Sequence, residues 1–119
     1  MCGGGKKCLV PSPCARLEID HSGYLYLLRR LRAVPGVKKV CSRSGIRYDY
    51  RVHDKNEDVC RELGEHHVSG QLKVAPEHAS PGVLKAMGKP PIGTYERFAK
   101  RFFELTRRAG KEQYLVPYL

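Results

Sequence analysis

No stretch of this sequence approaches the roughly 18 consecutive apolar residues of a membrane span, which excludes a transmembrane helix. The start, Met1-Cys2-Gly3-Gly4-Gly5-Lys6-Lys7, has no apolar core behind its basic residues and does not read as a secretory signal. Without such a signal, an odd count of five cysteines argues against a disulfide framework and for a reduced, cytoplasmic chain. No two cysteines stand at the two-residue spacing of a zinc knuckle. Acidic residues are scarce, 12 against 22 Lys and Arg, which leaves a net charge of +10.

What is present fits one soluble globular unit. The chain has 119 residues, 41% hydrophobic and 29% charged. A chain this long buries about two thirds of its unfolded surface, enough for a modest core. Cys2, Cys8 and Cys14 crowd the Gly/Pro-rich leader, residues 1–19. They are candidate thiolate ligands for zinc or iron–sulfur, and the alternative is a leader with reduced thiols. Cys41 and Cys60 sit in periodic segments and read as small core residues. The charge raises a second function class, a small basic nucleic-acid-binding module. Against it, the cations are spread over several segments and the aromatics recur at helix-core spacing, not as a stacking platform. A zinc-ribbon-like leader on an α/β scaffold is a third reading.

The pattern after the leader alternates. Asp20 or Ser22 caps a helix to about Ala33, with Tyr24, Leu27, Leu28 and Leu31 as its buried stripe. Pro35-Gly36 ends it. Val37 to Ser42 reads as a strand, and Ser44 to Asp49 as a polar loop. Asp54-Lys55-Asn56-Glu57 has capping-box spacing and opens a helix to about Glu65, burying Val59, Cys60 and Leu63. Gln71 to Ala75 is a second strand. Ser80-Pro81 starts a short helix to Met87 with Val83, Leu84 and Met87 inward, stopped by Gly88 and Pro90. Thr94 caps a last helix from Tyr95 to Ala109, whose apolar face is Tyr95, Phe98, Ala99, Phe102 and Leu105. Tyr114 begins a third strand.

About three parallel strands with four helices, joined by right-handed crossovers, are therefore expected. In such α/β architectures the chemistry sits at the C-terminal ends of the strands. Those ends are Arg43 to Asp49, Pro76-Glu77-His78 and Pro117-Tyr118, and the first two are crowded with polar side chains. His66-His67, just ahead of the second strand, reads as structural. Lys89 reads as a charge at a helix end.

Several ordered motifs carry a family resemblance. They are residues 8–21, Pro35-Gly36-Val37-Lys38-Lys39-Val40, Ser44-Gly45-Ile46-Arg47-Tyr48-Asp49 and residues 66–78. Met87-Gly88-Lys89-Pro90 and Tyr114-Leu115-Val116-Pro117-Tyr118 continue them. Together they resemble the YgiQ-type radical SAM proteins over nearly the whole chain. The resemblance implies a partial (β/α) barrel with a [4Fe-4S] cluster and S-adenosylmethionine. The cluster would reduce the sulfonium to a 5′-deoxyadenosyl radical that attacks a substrate these residues do not specify. The family's Cys-x3-Cys-x2-Cys cluster loop is absent from this sequence. Residues 20–119 thus look like the C-terminal half of such a barrel, whose partner is the missing N-terminal half. The chain alone is expected to be inactive and without the cofactors. The resemblance assigns Ser44, Arg47, Asp49 and Glu77 to cofactor contacts. Arg47 and Asp49 pairing with each other in a loop is the structural alternative.

Overall fold

The computed structural model describes residues 8, 14–43, 45–54 and 57–119. Its elements run α1 (Ser22–Arg32), α2 (Tyr48–His53), α3 (Glu57–Glu62), a π-helical turn (Leu63–His67), β1 (Gln71–Val74), α4 (Pro81–Met87), α5 (Ile92–Arg108) and β2 (Tyr114–Pro117). The two strands pair in parallel, with Gln71 opposite Tyr114 and Val74 opposite Pro117. A parallel pair needs a crossover, and α4 and α5 supply it.

The main core lies where α5 covers one face of the sheet. Leu72 and Val74 point into it from β1, beside Val68, Phe98, Phe102 and Tyr48. Strand alternation explains the choice, since Gln71 and Lys73 point to the opposite, exposed face. On α5 the buried residues Thr94, Phe98, Phe102 and Thr106 recur every four positions, a single stripe along the helix. The Phe98 and Phe102 rings stack with centroids 6.2 Å apart. Burying each such side chain contributes about 1.5–3 kcal/mol. A second, smaller cluster joins Leu25 and Leu28 of α1 to Val59 and Leu63.

The expectation of three strands and four helices is corrected to two strands and five α-helices among the described residues. The segment expected to be a strand, Val37 to Ser42, is extended chain without a ladder. Its geometric reason is that β1 begins only at Gln71. Ser42 therefore meets the π turn, its amide donating to the His67 carbonyl at 2.8 Å. The chain reaches β1 later, through one parallel bridge between Ile46 and Val74. Gly45 lies directly against β1, where a Cβ would sit in close contact, 3.4 Å from the Lys73 carbonyl oxygen. The expected polar loop ends in α2, a six-residue helix too short to be stable alone. Packing holds it: Tyr48 meets Tyr95 edge-on at 5.8 Å and Phe98 at 6.0 Å.

Burial also corrects several expected core residues. Leu28 is buried, but Tyr24, Leu27 and Leu31 are exposed, because α3 covers α1 on the side of Leu25 and Leu28. Val83 and Met87 are exposed while Leu84 is buried. Cys41 is exposed, and Cys60 is half-buried with its thiol pushed up by burial. At the start of α1, Asp20 accepts the Ser22 amide at 2.8 Å, which holds its carboxyl below the usual range. The capping box at 54–57 includes Lys55 and Asn56, which lie outside the described residues.

The π turn is held by buried polar contacts. His67 is fully buried, with Nδ1 2.7 Å from the Val40 carbonyl and Nε2 3.5 Å from Glu62. Gln113 Nε2 donates to the carbonyls of Gly64 at 2.8 Å and Val68 at 3.2 Å. Those carbonyls are end groups that a regular helix would leave without partners. Glu62 faces Arg29 and Arg32, both at 3.2 Å. Burial pushes the Glu62 carboxyl up, but the Arg29 hydrogen bond and the two guanidinium charges outweigh it and hold it below 4.5.

Two outcomes follow. Leu72→Ala, at the centre of the core, should cost about 2–5 kcal/mol in urea unfolding, while Leu27→Ser on exposed α1 should cost less than about 0.5 kcal/mol. Because the Glu62 pKa is depressed on folding, its stabilisation is present above 4.5 and lost as pH falls through the lower folded value. Unfolding measured from pH 7 to 3 should lose less stability in Glu62→Gln than in the unaltered chain, starting from a less stable neutral-pH state.

Candidate functional site

The C-terminal end of β1 opens onto a cleft of about 260 Å³ lined by Ile46, Arg47, Tyr48, Asp49, Ala75, Gly88, Lys89 and Pro90. Three separate segments build it. The first turn of α2 brings Arg47, Tyr48 and Asp49. The end of β1 brings Ala75 and, two residues on, Glu77. The end of α4 brings Gly88 and Lys89.

Local structure fixes each contributor. Gly88 takes the left-handed conformation at φ 66°, and the Lys89 amide donates back to the Leu84 carbonyl at 2.8 Å. This closes α4 in the manner of a Schellman cap. It aims the Lys89 ammonium at Glu77, 3.3 Å away. Glu77 itself has φ 71°, which among the described residues no other non-glycine matches in sign. Such a conformation costs a residue with a Cβ about 1–2 kcal/mol. It is held by parallel pairing that continues past the strands, the Glu77 amide donating to the Tyr118 carbonyl at 3.0 Å. Strain of this sort persists where surrounding structure over-determines it, often at functional sites.

Arg47 and Asp49 pair through two contacts, at 3.2 Å and 2.5 Å. The carboxylate is buried and the Arg47 side chain is exposed. The Asp49 hydrogen bond raises the Arg47 pKa, so this cation stays charged. The Tyr48 hydroxyl is buried and has no hydrogen-bond partner. Burial, with the Asp49 charge second, pushes its pKa up to about 12, so at neutral pH it remains a donor. The cleft therefore carries the Asp49 carboxylate and the Arg47 and Lys89 cations, with Glu77 beside it on Lys89.

Of the expected site residues, Arg47 and Asp49 line this cleft and Glu77 borders it through Lys89. The structural alternative, pairing of Arg47 with Asp49, is present. Ser44 lies outside the described residues, as does Cys2. The Cys14 amide donates to the Cys8 carbonyl at 2.7 Å. Among the described residues no three His, Cys, Asp or Glu side chains gather as a metal site. His78 accepts the Ser80 amide at 2.8 Å. Tyr48 and Lys89 were not expected to take part in the site. Lys89 could have been found from its place one residue past the Gly88 cap, and Tyr48 only from the helix that sequence periodicity does not reveal.

Fold and cleft define an α/β protein with a parallel crossover and a polar cleft at a strand's C-terminal end. The chain is similar to the UPF0313 protein of Clostridium perfringens strain SM101, 58% identical over 114 residues. It is 53% identical over the same length to the UPF0313 protein of Clostridium botulinum strain Okra. Each match covers 96% of this chain but only 17% and 18% of the relative, so the chain spans about a sixth of their length. No family model matches the chain. No solved structure matches it either. No helix among the described residues is long and apolar enough to cross a membrane.

A buried hydroxyl without a partner is a liability in the unliganded chain. Tyr48→Phe should leave stability unchanged or raise it by up to about 1 kcal/mol. A loss of more than that in chemical denaturation would show that the hydroxyl has a partner in solution.

Proposed function

We propose that this chain is a segment of a radical SAM iron–sulfur enzyme, corresponding to the C-terminal half of its barrel. The observation that carries the reading is the meeting of Arg47, Asp49 and Glu77 around the C-terminal end of β1. The sequence motifs that resemble YgiQ-type proteins lie in the same segments, and the UPF0313 relatives match across them. Open sheet surface supports the incomplete-barrel part of the reading. Parallel sheets are covered on both faces, whereas here Gln71, Lys73, Tyr114 and Val116 leave one face exposed.

The residues of the cleft suit S-adenosylmethionine. Asp49 and Glu77 accept hydrogen bonds from ribose hydroxyls or an ammonium group. The Lys89 ammonium donates to a carboxylate or a ribose oxygen. Arg47 keeps the Asp49 carboxylate in place. The bound cofactor supplies a sulfonium for reductive cleavage, and the protein's part is to hold and orient it. The described residues do not fit an iron–sulfur cluster, since no three thiolate, imidazole or carboxylate side chains gather among them. In this reading the cluster belongs to the other half of the barrel, and the isolated chain does not turn over.

The test is a chimera. The matched 114 residues of the C. perfringens UPF0313 protein are replaced by the corresponding residues of this chain. After anaerobic reconstitution with iron and sulfide and reduction by dithionite, 5′-deoxyadenosine is measured. The expected result is release of 5′-deoxyadenosine, reduced at least about tenfold by Asp49→Asn, the scale of one lost charge-assisted hydrogen bond. A folded chimera that forms a cluster but never cleaves S-adenosylmethionine would overturn the reading.

A further inference from the structure

α1 presents more apolar surface than its neighbours cover. Leu25 and Leu28 are buried against Val59 and Leu63. On the adjacent flank Leu27 and Leu31 are 51% and 42% exposed. The ridge continues through two hydrogen-bonded turns, from the Val34 amide to the Leu31 carbonyl and from the Val37 amide to the Val34 carbonyl. Val34 and Val37 are 47% and 39% exposed. Pro35 and Gly36, the latter at φ 85°, form the second turn and fix its shape. Four exposed aliphatic side chains therefore follow one another at steps of three and four residues along a hydrogen-bonded stretch, as a row.

The charge around this row has one sign. From His21 to Tyr48 the sequence contains no Asp or Glu and seven Lys and Arg. Arg29 and Arg32 pair with Glu62, and Arg47 with Asp49. Arg30, Lys38, Lys39 and Arg43 are exposed, and among the described residues they meet no carboxylate. A sugar-phosphate backbone would satisfy these cations but leave the leucines and valines wet. What suits both is an amphipathic helix with its apolar stripe laid on the row and carboxylates along its edges.

We propose that the Leu27–Leu31–Val34–Val37 row is a docking surface for such an acidic amphipathic helix, supplied in the UPF0313 relatives by the polypeptide outside the matched segment. Those relatives are about six times as long as this chain, so ample polypeptide is tethered to the row. A tethered helix binds at the millimolar effective concentrations of an intramolecular contact, which a short row of four side chains requires. The proposal does not rest on the radical SAM reading, and its test uses no activity.

Leu27→Cys is placed in this chain and in the chimera described above. Maleimide labelling of position 27 is followed by peptide mass spectrometry, which separates it from the native cysteines. The expected result is labelling at least about tenfold slower in the chimera, because the thiol reacts only when the contact opens. Combined charge reversal, Arg30→Glu with Lys38→Glu and Lys39→Glu, should restore fast labelling in the chimera and change nothing in the short chain. Hydrogen exchange across residues 22–32 of the chimera without the cysteine should show matching protection. Equal labelling and equal exchange in the two proteins would overturn the proposal. So would protection that appears only with phosphatidylglycerol vesicles, or only at high concentration of the short chain, which would assign the row to a membrane or to a second copy.

Discussion

The contact of Phe98 and Phe102 with Leu72 and Val74 is the constraint on which the rest of the molecule depends. It fixes α5 across one face of the sheet and so fixes the crossover that makes β1 and β2 parallel. It also provides the aromatic surface on which Tyr48 rests. Without that surface α2 has too few residues to stay helical. Arg47 and Asp49 would then have no defined place relative to the end of β1. A purely apolar contact thus positions a polar cleft beside it.

Much of this was legible from residue spacing and some was not. The strong signals were local ones. A Ser-Pro start and a Gly stop delimited α4, and a four-residue apolar period marked α5. Gln71 to Val74 was visible as a short polar–apolar alternation and Tyr114 to Pro117 as a short apolar run. The failures were tertiary. Val37 to Ser42 has the composition of a strand, but no ladder partner reaches it. The side of α1 that is buried depends on where α3 sits, which helical periodicity cannot report when the apolar arc is wide. The π turn depends on Gln113, a residue far along the chain.

The cleft residues show the same division. Arg47, Asp49 and Glu77 were legible because polar residues at strand ends have a standard meaning in parallel α/β folds. The left-handed backbone at Glu77 was not, since nothing in Pro-Glu-His marks it. Nor was the lost hydrogen bond of Tyr48, which exists only because α2 turns that hydroxyl into the protein. The strain at Glu77 and the unpaired donor at Tyr48 are both costs in the free chain.

Gln113 reaches carbonyls 49 and 45 residues earlier in the chain. It also stands directly before β2. That single amide therefore has consequences for the order of assembly. Helices α3 to α5 can form from neighbouring residues as they emerge, but the π turn keeps unpaired end carbonyls until the last strand arrives. Closing so long a loop is slow compared with making a helix. The sheet and the π turn should consequently lock together in one late event. Until then the edge of β1 is open to the wrong strand, so β2 and the Gln113 before it guard the earlier residues against misassembly.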